Sequence, residues 1–345
     1  MSAQPESVFV TGATGYIAQH IVKQLLEQGY SVIGSVRSEE KGKDLKLTIA
    51  KTDLISDLFH YVVVPNIIDK KSFDEVFDEH PEIRVVLHTA SPVDFTAKDA
   101  QKDIIEPAVL GTKNILQSAK EHSNIKHVVI TSSAVSAIDI TGSVKPDDVV
   151  TENSWSKLDF KHLKGPEDAS VGYGLSKTFA GKEVDKFIEN EKPNFTIASI
   201  LPPYVLGPQA FEVKDKSQLN FSAELVNKVL KLKPDDKIPE FVGFFVDVRD
   251  VAHAHIKAIE SSKETNGKRI ATDAGSFTNE IIATIINKHF PQVHIPEGSV
   301  KKSNEQLKDK DFARNFSKSE KLLGFDYIPL EKTIVDSVQQ ILVAN

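Results

Sequence analysis

Short apolar runs alternate with longer amphipathic stretches over the first two hundred residues. Runs rich in β-branched and aromatic residues occupy 8–10, 30–36, 61–64, 83–87, 127–131 and 196–201; their composition predicts strands. Between them, 17–28, 98–120 and 178–190 carry apolar residues at helical spacing. Strands alternating with helices of this length predict βαβ units and a parallel sheet covered on both faces. From 209 onward the rhythm breaks. Helical patterns at 219–232, 251–260, 278–289 and 330–343 enclose strand-like pieces at 244–246 and within 264–274.

The first strand runs into Thr11-Gly12-Ala13-Thr14-Gly15-Tyr16-Ile17-Ala18. A glycine turn between strand and helix lets backbone approach a pyrophosphate, whose charge sits at the helix N-terminus. Ala18 is small enough for close helix–strand packing. The second strand ends at Arg37, with Lys41 one helical turn on. An acidic residue there would bind the ribose hydroxyl of NAD; arginine suits the 2′-phosphate of NADPH instead. The bland alternative is a solvated charge run, since Glu39, Glu40 and Asp44 lie nearby. Asn66, after the third strand, is placed to meet an adenine edge. Gly12, Arg37, Asn66, Ala90 and Ser133 all fall at strand C-termini, where such sheets bind ligands.

The fold class expected is therefore α/β: a Rossmann-type doubly wound parallel sheet with a smaller mixed α/β C-terminal substrate lobe. Residues 1–202 are expected to form the cofactor domain, rejoined by about 243–262, and 203–345 the substrate lobe.

Tyr173 and Lys177 are four residues apart, on one face of a helix if both are helical. A phenol titrates near pH 10 and is a poor acid at neutrality; a neighbouring ammonium favours the phenolate. Lowering it by about 3 units asks for roughly 4 kcal/mol of differential stabilisation. Alone, the pair reads equally as a packed ring and a solvated charge. His88, at a strand end, reads as an oriented packing residue. His253 and His255, two apart, face different sides of a helix, and no metal site is expected. The segment 139–167 lacks periodicity and reads as a long connection, with Trp155 as its anchor.

The chain has 345 residues, a net charge of −7 and no cysteine. The charge argues against general binding to nucleic acid or anionic membranes. The missing cysteines exclude disulfides and thiolate chemistry, in keeping with a reducing, cytoplasmic setting. No stretch approaches a membrane span.

Taken in order, T-G-A-T-G-Y-I-A, H-T-A-S-P, T-S-S, Y-G-L-S-K, P-P-Y-V-L-G-P and D-V-R-D-V-A span residues 11–252. This resembles the extended short-chain dehydrogenase/reductase family. Within it, the sequence looks like the branch of yeast methylglyoxal and isovaleraldehyde reductases, related to dihydroflavonol and cinnamoyl-CoA reductases. The resemblance implies NADPH-dependent reduction of aldehydes and ketones: methylglyoxal-like dicarbonyls, hydrophobic or aryl ketones. It implies a triad in which Ser133 polarises the carbonyl, Tyr173 is the general acid, and Lys177 tunes Tyr173 and binds ribose. Cofactor contacts are expected from Thr11, Gly12, Thr14, Gly15, Tyr16, Ile17, Arg37, Lys41, Asn66, Ile67, Thr89, Ala90, Ser91 and Thr131. Tyr173 and Lys177 join them, with Pro202 and Val205 packing the nicotinamide. Val93, Ile138 and Tyr204, with Ser133, match the substrate-pocket wall. Two positions depart from the family pattern: Ala108 where many members carry asparagine, and Leu201 where relatives often carry a polar residue. The family expectation for assembly is a monomer or homodimer.

Two other readings compete with the carbonyl reductase. An NAD-dependent nucleotide-sugar epimerase or dehydratase would share the fold, but Arg37 disfavours NAD and the second half shows no conspicuous arginine cluster. A non-catalytic NADP(H) sensor would tend to lose the Tyr173–Lys177 pair, which is intact.

Overall fold

The computed structural model describes residues 6–92, 94–138, 148–213, 219, 221–310 and 312–344. In chain order the strands are β1 (Ser7–Thr11), β2 (Ser31–Val36), β3 (Phe59–Val63), β4 (Ile83–His88), β5 (His127–Thr131) and β6 (Val150–Thr151). They continue with β7 (Thr196–Leu201), β8 (Tyr204–Leu206), β9 (Val242–Asp247), β10 (Lys268–Ala271), β11 (Gly275–Thr278) and β12 (Arg314–Asn315). The helices of the first part are α1 (Tyr16–Glu27), α2 (Glu39–Ile49), α3 (Lys70–Glu79), α4 (Glu106–Glu121) and α5 (Ala169–Glu191). Those of the second are α6 (Phe221–Leu230), α7 (Val248–Glu260), α8 (Ser262–Thr265), α9 (Asn279–His289), α10 (Val300–Lys310), α11 (Ser317–Leu323) and α12 (Leu330–Val343).

Seven strands form one sheet in the order β10-β7-β5-β4-β1-β2-β3, every pairing parallel. The two-residue period of each strand sorts its side chains between two cores. Val8, Val10, Val85, Leu87, Ala198 and Ile200 face one side, against Ile21 and Leu25 of α1 and Ile256 of α7. Phe9, Val86, Val128, Ile130 and Ile197 face the other, against Phe73, Ile115, Leu116 and Val184 of α3, α4 and α5. Strands apolar on both faces are what a sheet buried on both sides requires. The order reverses between β1 and β4, the switch point at which doubly wound sheets open a crevice.

Segments on both sides of β10 in the chain build a second core. β11, β9 and β8 form a mixed sheet, antiparallel between β11 and β9 and parallel between β9 and β8. It is covered by Val226, Ile282, Ile286, Ile334 and Val338. Within 243–262, β9 goes to this small sheet and α7 returns to α1 on the large one; β10, just beyond, adds the seventh strand. The D-V-R-D motif clamps the junction. Buried Asp247 caps α7 and takes two hydrogen bonds from the Arg249 guanidinium, at 2.8 and 2.7 Å. Thr333 of α12 donates to the same carboxylate at 2.8 Å, and Arg249 reaches Asp336 at 2.6 Å.

The helix expected over 98–120 departs from a single α-helix. Residues Gln101–Ile105 form a π turn, and α4 begins only at Glu106. Pro107 has no N–H to continue an α-helical ladder, and it sits at the change of pitch. α5 starts earlier than the apolar pattern implies, at Ala169, because Asp168 caps it by accepting from Val171 N at 3.2 Å.

Candidate active site

The turn after β1 is held by its neighbours. Gly12 has φ +67°, and a Cβ there would lie 3.2 Å from Ala90 in the turn after β4. The Thr11 hydroxyl accepts from Thr89 N and Ala90 N, both at 3.0 Å, which leaves its hydrogen for His88 Nδ1 at 3.0 Å. His88 is thereby neutral and protonated on Nε2, in agreement with burial pushing its pKa down to about 3. His88 and the Thr11 side chain thus weld the two turns at the switch point. Gly15 precedes α1 with no side-chain cap, and the first turn carries no acid. An anionic group suits those free N–H donors.

Arg37 and Lys41 are exposed, and among the described residues neither side chain makes an ion pair or hydrogen bond. The nearby Glu39 is engaged, accepting from the Tyr61 hydroxyl at 2.8 Å and pairing with Lys43 at 3.5 Å. The two cations therefore remain available to a phosphate. Asn66 is exposed and uses Oδ1 to accept from Ile68 N, which leaves its amide N–H groups outward. Ile67 is half-buried, its carbonyl held by Asn114.

α1 also reaches the second core. The Tyr16 hydroxyl donates to Gly207 O at 2.7 Å, and His20 Nε2 meets Pro208 O at 2.9 Å. Tyr16 and Ile17 pack against Val205, Val246 and Val251. Pro202 is buried; its carbonyl accepts from Ala134 N at 2.9 Å and from the Ser133 hydroxyl at 3.4 Å.

Ser133, Tyr173 and Lys177 come together beyond the ends of β5 and β7. Lys177 Nζ lies 5.8 Å from the centre of the Tyr173 ring and donates to Thr131 O at 3.5 Å. Burial raises the Tyr173 pKa above its usual value; the neighbouring Ser133 hydroxyl opposes the shift and Tyr204 adds to it. Burial also pushes Lys177 down to about 8. Burial of the ring opposes the lowering expected from Lys177. Desolvation drives both toward their neutral forms. Ser132 lines a cavity of about 20 Å³ with His88, Ser91, Thr131 and Lys177.

Of the residues expected to wall the substrate pocket, Val93 lies outside the described residues. Ile138 is packed into a core of Ala134, Val150, Leu201, Ala271 and Phe316. Tyr204 is exposed, with its ring edge-on to Phe241 at 5.4 Å. Phe95, which sequence reasoning missed, lies with its ring 5.5 Å from Tyr173 and is 40 % exposed. It follows an unpatterned loop, and nothing in its local sequence signals the contact.

A parallel sheet of this order, with a glycine turn at its switch point, defines the doubly wound class of dinucleotide-binding folds. The chain belongs to the NAD dependent epimerase/dehydratase family, which it matches over residues 8–271, as the resemblance to extended short-chain dehydrogenases/reductases implies. It is 39% identical to the NADPH-dependent methylglyoxal reductase of Saccharomyces cerevisiae, over 97% of this chain and 98% of the relative. It is 35% identical to a ketoreductase of Aspergillus niger, over 99% of each. The crystal structure of Gre2 from Candida albicans in complex with NADPH superposes with a TM-score of 0.92 at 39% identity, covering 99% of this chain and 100% of the other.

Proposed function

We propose that the chain is an NADPH-dependent carbonyl reductase that converts aldehydes and ketones to alcohols. The observation that carries this is the convergence of the Ser133 hydroxyl, the Tyr173 phenol and the Lys177 ammonium beside the glycine turn. Gly12, Gly15 and the start of α1 would hold the pyrophosphate, and Arg37 with Lys41 the 2′-phosphate. When bound, NADPH supplies the hydride for the carbonyl carbon. Ser133 donates a hydrogen bond to the carbonyl oxygen, and Tyr173 gives it a proton as negative charge develops there. A phenol raised by burial stays protonated at neutral pH, as an acid must before the reaction. Burial lowers Lys177 only to about 8, so its charged form still dominates at pH 7. That charge favours the phenolate left behind and so acts on the transition state more than on the ground state.

Phe95 beside Tyr173 and Tyr204 with Phe241 give the approach an aromatic character. It favours hydrophobic or aryl ketones and admits small dicarbonyls such as methylglyoxal. On this reading residues 1–202, with the segment that returns after the small sheet, serve the cofactor, and 203–345 shape the substrate side. Among the described residues no helix is long and apolar enough to cross a membrane.

The test is NADPH consumption, followed by absorbance, with and without an aryl ketone or methylglyoxal. Consumption only with the carbonyl compound supports the reading. Turnover of a nucleotide sugar with no carbonyl-dependent consumption would overturn it.

A further inference from the structure

Arg269 lies on β10, at the edge of the large sheet and far along the chain from Ser133. Its guanidinium stacks on the only tryptophan, with the central carbon 3.7 Å from the Trp155 ring centre. Nη1 donates to Ser154 O at 2.5 Å, and Nη2 donates to Ser136 Oγ at 2.9 Å. Ser136 is fully buried and passes the contact on. Its hydroxyl donates to the Ser133 carbonyl at 2.8 Å, which also accepts Ser136 N–H at 3.0 Å. The Ser136 carbonyl in turn accepts from Ser156 N at 2.9 Å. Trp155 rests on α5, the helix of Tyr173 and Lys177: a Cβ at Gly181 would stand 2.8 Å from its ring.

One guanidinium thus joins the turn that begins at Ser133, the loop of Trp155, and the helix of the tyrosine–lysine pair. Among the described residues it makes no ion pair, and burial pushes its pKa down to about 10. A largely desolvated cation with no carboxylate in contact, and only Asp185 acting on it from further off, is a costly way to fill space, and an apolar side chain of similar volume would serve packing better.

We propose that Arg269 is a positioning residue for carbonyl reduction: through Ser136 it holds the Ser133 turn so that the Ser133 hydroxyl meets the substrate oxygen together with Tyr173. The inference rests on the role given to Ser133 above. Small displacements of an aligned donor are costly in rate, up to about a hundredfold for 1 Å. Ser136→Ala keeps the backbone N–H on the Ser133 carbonyl, whereas loss of Arg269 also frees the Ser154 carbonyl and the Trp155 ring, so the Ser136 change should cost less.

The experiment places Arg269→Met, Arg269→Lys and Ser136→Ala in the wild type and in a Ser133→Ala background. It reads kcat, the carbonyl KM, NADPH affinity and Tm, with kcat expressed per NADPH-binding site. In the wild type, Arg269→Met should lower kcat by about tenfold or more and Ser136→Ala by about threefold, with NADPH affinity held within about twofold. Arg269→Lys should recover part of the loss. In the Ser133→Ala background the same substitutions should leave kcat unchanged. If Arg269→Met does not accumulate as folded protein, Ser136→Ala carries the same comparison. A lower Tm with unchanged kcat per site overturns the inference, as does an equal loss of kcat in both backgrounds; the role of Ser133 survives either result. Full activity of Ser133→Ala alone would overturn the role of Ser133 and the inference with it.

Discussion

The Thr131 hydroxyl meets His255 Nε2 at 2.7 Å, while the same residue's carbonyl receives the Lys177 ammonium at 3.5 Å. His255 is fully buried, and its Nδ1–H donates to Val251 O at 2.8 Å. The imidazole therefore accepts from Thr131 and is neutral, and burial pushes its pKa down to about 4. One residue of β5 links a histidine of α7 to the lysine of the candidate active site.

That histidine makes the fold acid-sensitive. Its folded pKa of about 4 lies below the ordinary 6.5, so between these values the unfolded chain binds the extra proton. Its contribution is complete above pH 6.5 and is lost as pH falls toward 4. The loss amounts to at most about 3 kcal/mol, at 1.36 kcal/mol per unit. Urea unfolding at pH 7 and near pH 4.5 should show a drop that His255→Asn reduces by about 2 kcal/mol. An unchanged drop would mean that the histidine protonates without unfolding the site.

Lys177 sets a limit at the other end of the scale. Its pKa, pushed down to about 8 by burial, means that the charge needed beside the departing Tyr173 proton disappears above that pH. Carbonyl reduction should fall about tenfold per unit on the alkaline side of pH 8. Lys177→Arg, whose charge persists, should be slower at pH 7 yet lose that limb. A limb that persists near pH 8 in the arginine variant would assign it to another group.

Tyr173→Phe should lower turnover by at least about a hundredfold with NADPH affinity kept within a few-fold. Retention of a tenth of the activity would remove Tyr173 as the acid. Because the Ser133 hydroxyl is the one beside the Tyr173 phenol, Ser133→Ala should be more damaging than Ser132→Ala. The reverse order would make Ser132 the carbonyl donor.

Arg37 and Lys41 carry the cofactor prediction. A guanidinium meets a 2′-phosphate with paired, charge-assisted bonds and gains little from a ribose hydroxyl. Loss of such a contact costs roughly 1.5–3 kcal/mol, or about 10- to 150-fold in affinity. The wild type should prefer NADPH over NADH by at least about tenfold in kcat/KM, and Arg37→Asp should lose most of that preference. Equal use of NADH by the wild type would make the arginine a solvated surface charge.

The inner strands of the large sheet were legible because a strand buried on both faces must be apolar at consecutive positions, a pattern with few alternatives. The glycine turn was legible because Gly12 stands where a positive φ and a 3.2 Å approach to Ala90 leave no room for a side chain. β8 and β11 were not legible, because three- and four-residue strands are too short to show a period. Nor was α10, whose sequence VKKSNEQLKDK offers little apolar face. Phe95 against Tyr173, and Arg269 against Ser136, join residues 78 and 133 positions apart (173 − 95; 269 − 136). Such contacts depend on how finished elements dock, and no local pattern encodes them.

The large sheet is completed by β10 and covered by α7, both of which follow the small sheet's β9 in the chain. A protein stopped at residue 202 would thus keep the glycine turn, Ser133, Tyr173 and Lys177. It would nevertheless leave the edge of β7 unpaired and the apolar side of α1 bare, without Ile256 and Ile259. Such a fragment is a poor candidate for expression as a stand-alone nucleotide-binding unit. Circular permutants, which keep every strand while moving the ends, are the better route to separating the two halves of this molecule.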